Sequence, residues 1–236
     1  MPTDAVASAA GTAESSLELR AHPVLGALQG LLQDIYDAPN PHAVQEFLIT
    51  DAAVAAALQG CVARATPERL LLRSDGEAVD LALYLEREVL DRLVDADPVS
   101  VLTAAHLPDF WTVLEGISHF VYVTWNAGFD RPVTLLELEM QAEVDKFVTA
   151  RLLMLRQGAE DLPLHQLLFE IARLDAALEG DERQRYAQAS ALAGTYCQRL
   201  EDRYLARPDP VGLLSELRRF WRMPQQHKIR HIHAAG

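Results

Sequence analysis

Thr112, Glu115, His119, Tyr122 and Asn126 recur at steps of three, four, three and four inside an otherwise almost wholly apolar run, DFWTVLEGISHFVYVTWNAG. At about 100° per residue the five fall within roughly 80° of one another on a helix. They form a continuous polar stripe, and Phe110, Val113, Leu114, Ile117, Phe120, Val121 and Trp125 cover the rest. A solvent-facing stripe would carry Lys, Arg, Gln or several Glu; this one has none of the long basic residues. Glu115 and His119 stand one turn apart. An imidazole beside a carboxylate is poised for proton transfer near neutral pH. Glu115, His119 and Tyr122 are therefore the candidate catalytic residues, although no nucleophile, oxyanion element or cofactor loop accompanies them.

The same side chains also suit a divalent transition metal. Further along, Glu139, Glu143, Lys146 and Ala150 line the edge of an apolar face made by Leu136, Met140, Phe147 and Met154. If the two segments pack as antiparallel helices, Glu139 and Glu143 face Tyr122, His119 and Glu115, and the candidate ligands are Glu115, His119, Glu139 and Glu143. The spacing departs from that of ferritin-like di-metal bundles, which pair Glu-x-x-His on two helices. Glu115-x-x-x-His119 is one residue too long, and His165 has no acid three positions away on either side. The remaining reading is a buried polar network in which Glu115 fixes the His119 tautomer and Glu143 pairs with Lys146.

Other candidates carry less. His227, His231 and His233 bunch near the C-terminus, in a run that follows the helix-breaking Pro224 and reads as mobile. Tyr186, Tyr196 and Tyr204 read as core and rim aromatics. There is no P-loop, dinucleotide fingerprint, His-Glu-x-x-His, Cys-x-x-Cys or Gly-x-Ser-x-Gly.

The elements that position the stripe are helical. Pro108-Asp109 opens the striped helix, and Asn126-Ala127-Gly128 ends it with a left-handed cap. Thr134-Leu135-Leu136-Glu137 is a capping box for a helix to about Arg156, and the short connection makes the pair antiparallel neighbours. Upstream, His22-Pro23 opens Val24–Tyr36, Asn40-Pro41 opens a short helix through Ile49, and Asp51–Ala63 is helix-prone. Arg69–Arg73 and Val79–Leu83, separated by a Ser-Asp-Gly-Glu turn, predict a small β-hairpin. Helix resumes at Leu85–Val94 and after Asp97-Pro98. Downstream, helices are predicted at Asp161–Leu178, Asp181–Ala206 and Asp209–Trp221.

The 236 residues are 50% apolar and 23% charged, typical of a globular protein. No window approaches the roughly 18 apolar residues of a membrane span, and the N-terminus lacks the pattern of a secretory signal. Cys61 and Cys197 read as buried, reduced thiols in a cytoplasmic protein. The net charge of −13 argues against a general nucleic-acid binder. It is uneven: Arg218, Arg219, Arg222, Lys228 and Arg230 against Glu216 give the last 23 residues +4, and the rest carries −17. An acidic body with a basic end points to docking of the tail on the body or on an acidic partner.

The sequence thus predicts a mainly α, single helical domain of about eight to ten helices over 18–223, with one small β-hairpin around 69–84. A disordered leader over 1–17 and a basic, His-containing tail over 224–236 flank it. By elimination, the expected function is that of a cytoplasmic, non-catalytic binding or accessory protein with a protein partner, and no particular cofactor is favoured. The alternative is a metal-binding or acid–base enzyme centred on Glu115 and His119, with Glu139 and Glu143 on the next helix.

Overall fold

The computed structural model describes residues 16–59, 66–74, 79–159, 162–171 and 178–234. Among them are eight α-helices and three strands. The helices are α1 (Ser16–Tyr36), α2 (Ala52–Gln59), α3 (Arg87–Ala96), α4 (Leu107–Ala127), α5 (Leu135–Gln157), α6 (Gly180–Leu200), α7 (Pro210–Trp221) and α8 (Gln225–Ala234). The strands are β1 (Leu48–Ile49), β2 (Glu68–Ser74) and β3 (Val79–Leu85), in the order β1-β3-β2. This is the mainly helical single domain with a small β element that the sequence predicts. No described helix is long and apolar enough to cross a membrane.

The striped helix and its successor form the middle of the domain. α4 buries Phe110, Leu114, Ile117, Phe120 and Val121, and α5 packs between α4 and α6. Because neighbours cover it on both sides, α5 sinks polar residues as well as apolar ones: Glu137, Glu139, Gln141, Asp145, Lys146 and Thr149 are all buried. Buried polar groups must find partners or cost about 1–3 kcal/mol each, so α5 dictates where the polar chemistry lies. Around this pair, Tyr36 stacks on Trp221 with ring centroids 4.2 Å apart, and Tyr196 on Phe220 at 3.9 Å.

The predicted hairpin forms, with β2 antiparallel to β3 from Glu68↔Leu85 to Ser74↔Val79. Its turn lies outside the described residues, as does Cys61; Cys197 is a buried free thiol. Several local expectations are corrected. The stretch expected to be a helix through Ile49 is a 3-10 turn, Val44–Phe47, followed by β1, which pairs parallel with β3. There tertiary pairing overrides helix propensity. α1 starts at Ser16 and carries Pro23 inside it; the hydrogen bond that Pro23 cannot make would go to Leu19, which is 56% exposed. The segment after Pro98 is a turn, with a 3-10 turn at Ala104–His106 ahead of α4. Gly128 is not left-handed (φ −62°); that conformation falls to Asp130 (φ 51°). Of the helix predicted at Asp161–Leu178, the described part is helical over 164–171, in π form at Gln166–Ile171, and residues 161 and 172–177 lie outside the described residues.

The C-terminal run differs most. Pro224 does not end the helical structure: its carbonyl accepts from His227 N and Lys228 N, so it opens α8. α8 packs on α6, and Lys228 and Ile232, four apart, turn one face inward.

Candidate metal centre

Four elements converge on His119. α4 supplies Glu115 and His119, α5 supplies Glu139, Glu143 and Lys146, and α6 supplies Arg185 and Tyr186. The fourth contributor, Glu68 at the start of β2, is delivered through Gly116. A Cβ at Gly116 would stand 2.7 Å from Leu83 Cδ1 and 2.8 Å from Glu68 Cγ, so only glycine lets the hairpin come this close to α4.

His119 and Glu139 are each 6% exposed. His119 Nδ1 lies 3.4 Å from Glu68 Oε1, and Nε2 lies 3.7 Å from Glu139 Oε2. Nε2 is buried and has no hydrogen-bond partner. Ligand atoms of Glu115, His119 and Glu139 all lie within 4.8 Å of one another. Glu115 does not pair with His119; its Oε2 is 2.5 Å from Lys146 Nζ, which also donates to Glu143 Oε1 at 2.8 Å. Tyr186 hydrogen-bonds to Glu139, and Arg185 Nε is 4.0 Å from it. Glu115 and Glu143 form the rim, their side chains 20% and 18% exposed.

Electrostatically the cluster is short of positive charge. Burial alone would lower the His119 pKa, but the Glu68 carboxylate, then Glu139 and Glu115, reverse this and raise it to about 9. Burial raises Glu139 to about 7 despite His119, and raises Glu68 as well. For Glu115, burial pushes up, but the Lys146 ammonium wins and holds the carboxyl below its usual range. Four carboxylates therefore face the Lys146 ammonium and the more distant Arg185, and the imbalance attracts a proton or a metal cation.

The stripe as a whole grades from rim to core. Thr112 is half-buried and its hydroxyl donates to the Pro108 carbonyl. Tyr122 and Asn126 are fully buried and belong elsewhere: Asn126 Nδ2 donates to the Tyr122 carbonyl. The Tyr122 hydroxyl donates to Glu137 Oε1 at 2.5 Å, and Glu137 also takes Arg131 at 3.1 Å. The Glu137 amide donates to Thr134 Oγ1, which is half of the expected capping box; the Glu137 carboxylate is spent on Tyr122 and Arg131.

Tyr122 opens onto a second buried network, which sequence reasoning missed. Lys228 on α8 is 0% exposed; its ammonium donates to Tyr122 Oη at 2.9 Å and Gln141 Oε1 at 2.6 Å. Gln141 Nε2 donates to Asp145 Oδ1 at 2.8 Å, and Asp145 also accepts from Ser118 Oγ at 2.5 Å and from the Tyr36 hydroxyl. Burial lowers Lys228 to about 7, against the pull of Glu137 and Asp145. Burial raises Asp145 to about 6, against three donors. Near the surface, His231 Nε2 meets Glu216 Oε1 at 2.5 Å, so the terminal histidines do not gather on one another.

Sequence reasoning also missed Glu68 and the role of Tyr186. Period two along β2 puts Glu68 on the face of Leu70, which packs against the main core, and that was the available signal. Comparison with protein-family models, with curated proteins and with solved structures finds no match for this chain.

Proposed function

We propose that the protein binds one divalent transition-metal ion through Glu115, His119 Nε2 and Glu139, with Glu68 orienting the imidazole. The observation that carries this reading is the buried, unpartnered His119 Nε2, 3.7 Å from Glu139 Oε2 while Nδ1 faces Glu68, in a group whose ligand atoms, Glu115 included, lie within 4.8 Å of one another. A metal-bound histidine commonly gives its other ring nitrogen to a carboxylate, which fixes the tautomer and makes the ligand more basic. One imidazole and two carboxylates suit first-row ions such as Mn, Fe, Co or Zn. Closing on an ion at about 2.0–2.2 Å draws the three ligand atoms together by side-chain movements.

The burial favours an ion over an organic substrate. An ion needs only the space among its ligand atoms, whereas an acid–base reaction at His119 needs a substrate in contact with an imidazole that is 6% exposed. The reading is therefore of a helical binding or accessory protein with an ion in its central seam. Its test is titration of untagged, dialysed protein with Co(II), followed by visible absorption. One equivalent should give d–d bands that vanish in His119→Ala. Absence of bands in the wild type, or bands unchanged in His119→Ala, overturns the reading.

A further inference from the structure

We propose that Lys146 is a built-in cation holding the second position of a two-cation carboxylate seam, so that the protein takes a single divalent ion and a second enters only when the ammonium is removed. This rests on the ion site proposed at Glu115, His119 and Glu139. The Lys146 ammonium sits between Glu115 Oε2 at 2.5 Å and Glu143 Oε1 at 2.8 Å, bridging α4 and α5 as a cation would. Glu115 is shared: it pairs with Lys146 and also offers a ligand atom to the group with His119 and Glu139. Two neighbouring cation positions therefore meet at one bridging carboxylate, one taken by an ammonium and the other by the unpartnered Nε2 and its carboxylates.

The charge count agrees. With His119 neutral, as metal ligation requires, Glu68, Glu115, Glu139 and Glu143 face Lys146 and Arg185, a deficit of two charges that one divalent ion fills as it displaces the imidazole proton. Without Lys146 the deficit grows to three, and Glu115 and Glu143 at the rim become an oxygen-only pair open to water. Such a pair suits a hard ion such as Mn(II) and lacks the imidazole that anchors the first. The second ion should therefore bind more weakly.

The test is equilibrium dialysis of untagged wild type, Lys146→Met, Lys146→Gln and Lys146→Arg against Mn(II), with bound metal counted by elemental analysis. Folding is checked by circular dichroism, so that whichever neutral variant keeps the wild-type spectrum decides. One equivalent is expected for wild type and Lys146→Arg, and two for the neutral variants. Adding Glu143→Gln to Lys146→Gln should return the count to one. If wild type binds one and the neutral variants also bind one, Lys146 is not a placeholder and only this inference falls. If wild type binds none, the ion site fails and the inference falls with it; if wild type binds two, the ammonium excludes nothing and the inference is overturned.

Discussion

Replacing Lys228 with methionine should change stability in a direction that reverses with pH. Lys228 is fully buried and its pKa falls from 10.5 to about 7. The sign follows from proton linkage. The penalty is full below about pH 7, and it fades as pH rises from 7 toward 10.5, where the unfolded chain gives up the proton that the folded chain has already shed. At 1.36 kcal/mol per pKa unit, the penalty at pH 7 is about 4 kcal/mol, and at pH 10 about 1 kcal/mol. Methionine removes it but strands the Gln141 Oε1 acceptor, a loss of about 1–3 kcal/mol. Lys228→Met should thus be about 1–3 kcal/mol more stable than wild type near pH 7 and equal or less stable near pH 10. His119 acts in the opposite sense. Its raised pKa gives stability that is complete below 6.5 and lost as pH rises through about 9, so wild type alone is uninformative and the difference between the proteins is the readout. Urea unfolding of both at several pH values measures it. A difference that is flat between pH 7 and 10, or a variant destabilised throughout, would show that burial does not depress the Lys228 pKa.

Three further outcomes follow from the contacts. Glu68→Gln should weaken Co(II) binding by about 10–100-fold, the usual cost of losing a group that orients a metal-bound histidine; competition with a chromophoric chelator reads it. Gly116→Ala forces Leu83 and Glu68 to move and should cost about 1–3 kcal/mol in urea unfolding, with Co(II) affinity falling alongside. In metal-free protein, His119→Ala removes the positive partner of Glu68 and Glu139 and should destabilise by about 3–5 kcal/mol near neutral pH; a thermal melt close to wild type would contradict the pairing.

What the sequence made legible was local. The 3–4 spacing of Thr112 to Asn126 fixed a helix face, the Thr134 cap and short loop fixed its antiparallel partner, and an Asp-Gly turn marked the hairpin. Those signals brought Glu115, His119, Glu139, Glu143 and Lys146 to one seam, but not their pairing. Glu115 chose Lys146 over His119 because a helical register of a fraction of a turn decides which buried groups touch. The period-two face shared with Leu70 marked Glu68 as inward, but not its partner, because that depends on a contact across about 50 residues that turns on the missing side chain of Gly116. Lys228 was hidden by Pro224, which reads equally as the end of α7 and the start of α8. Its burial could be read only from the Lys228–Ile232 spacing, against a strong prior for solvated lysine.

The most direct measurement is anomalous diffraction at a metal edge from crystals grown with Mn(II), Co(II) or Zn(II). One strong peak is expected within bonding distance of Glu115, His119 Nε2 and Glu139, with Lys146 Nζ still between Glu115 and Glu143. A seam without a peak, or metal found only at His227, His231 or His233, would contradict the proposed ion site.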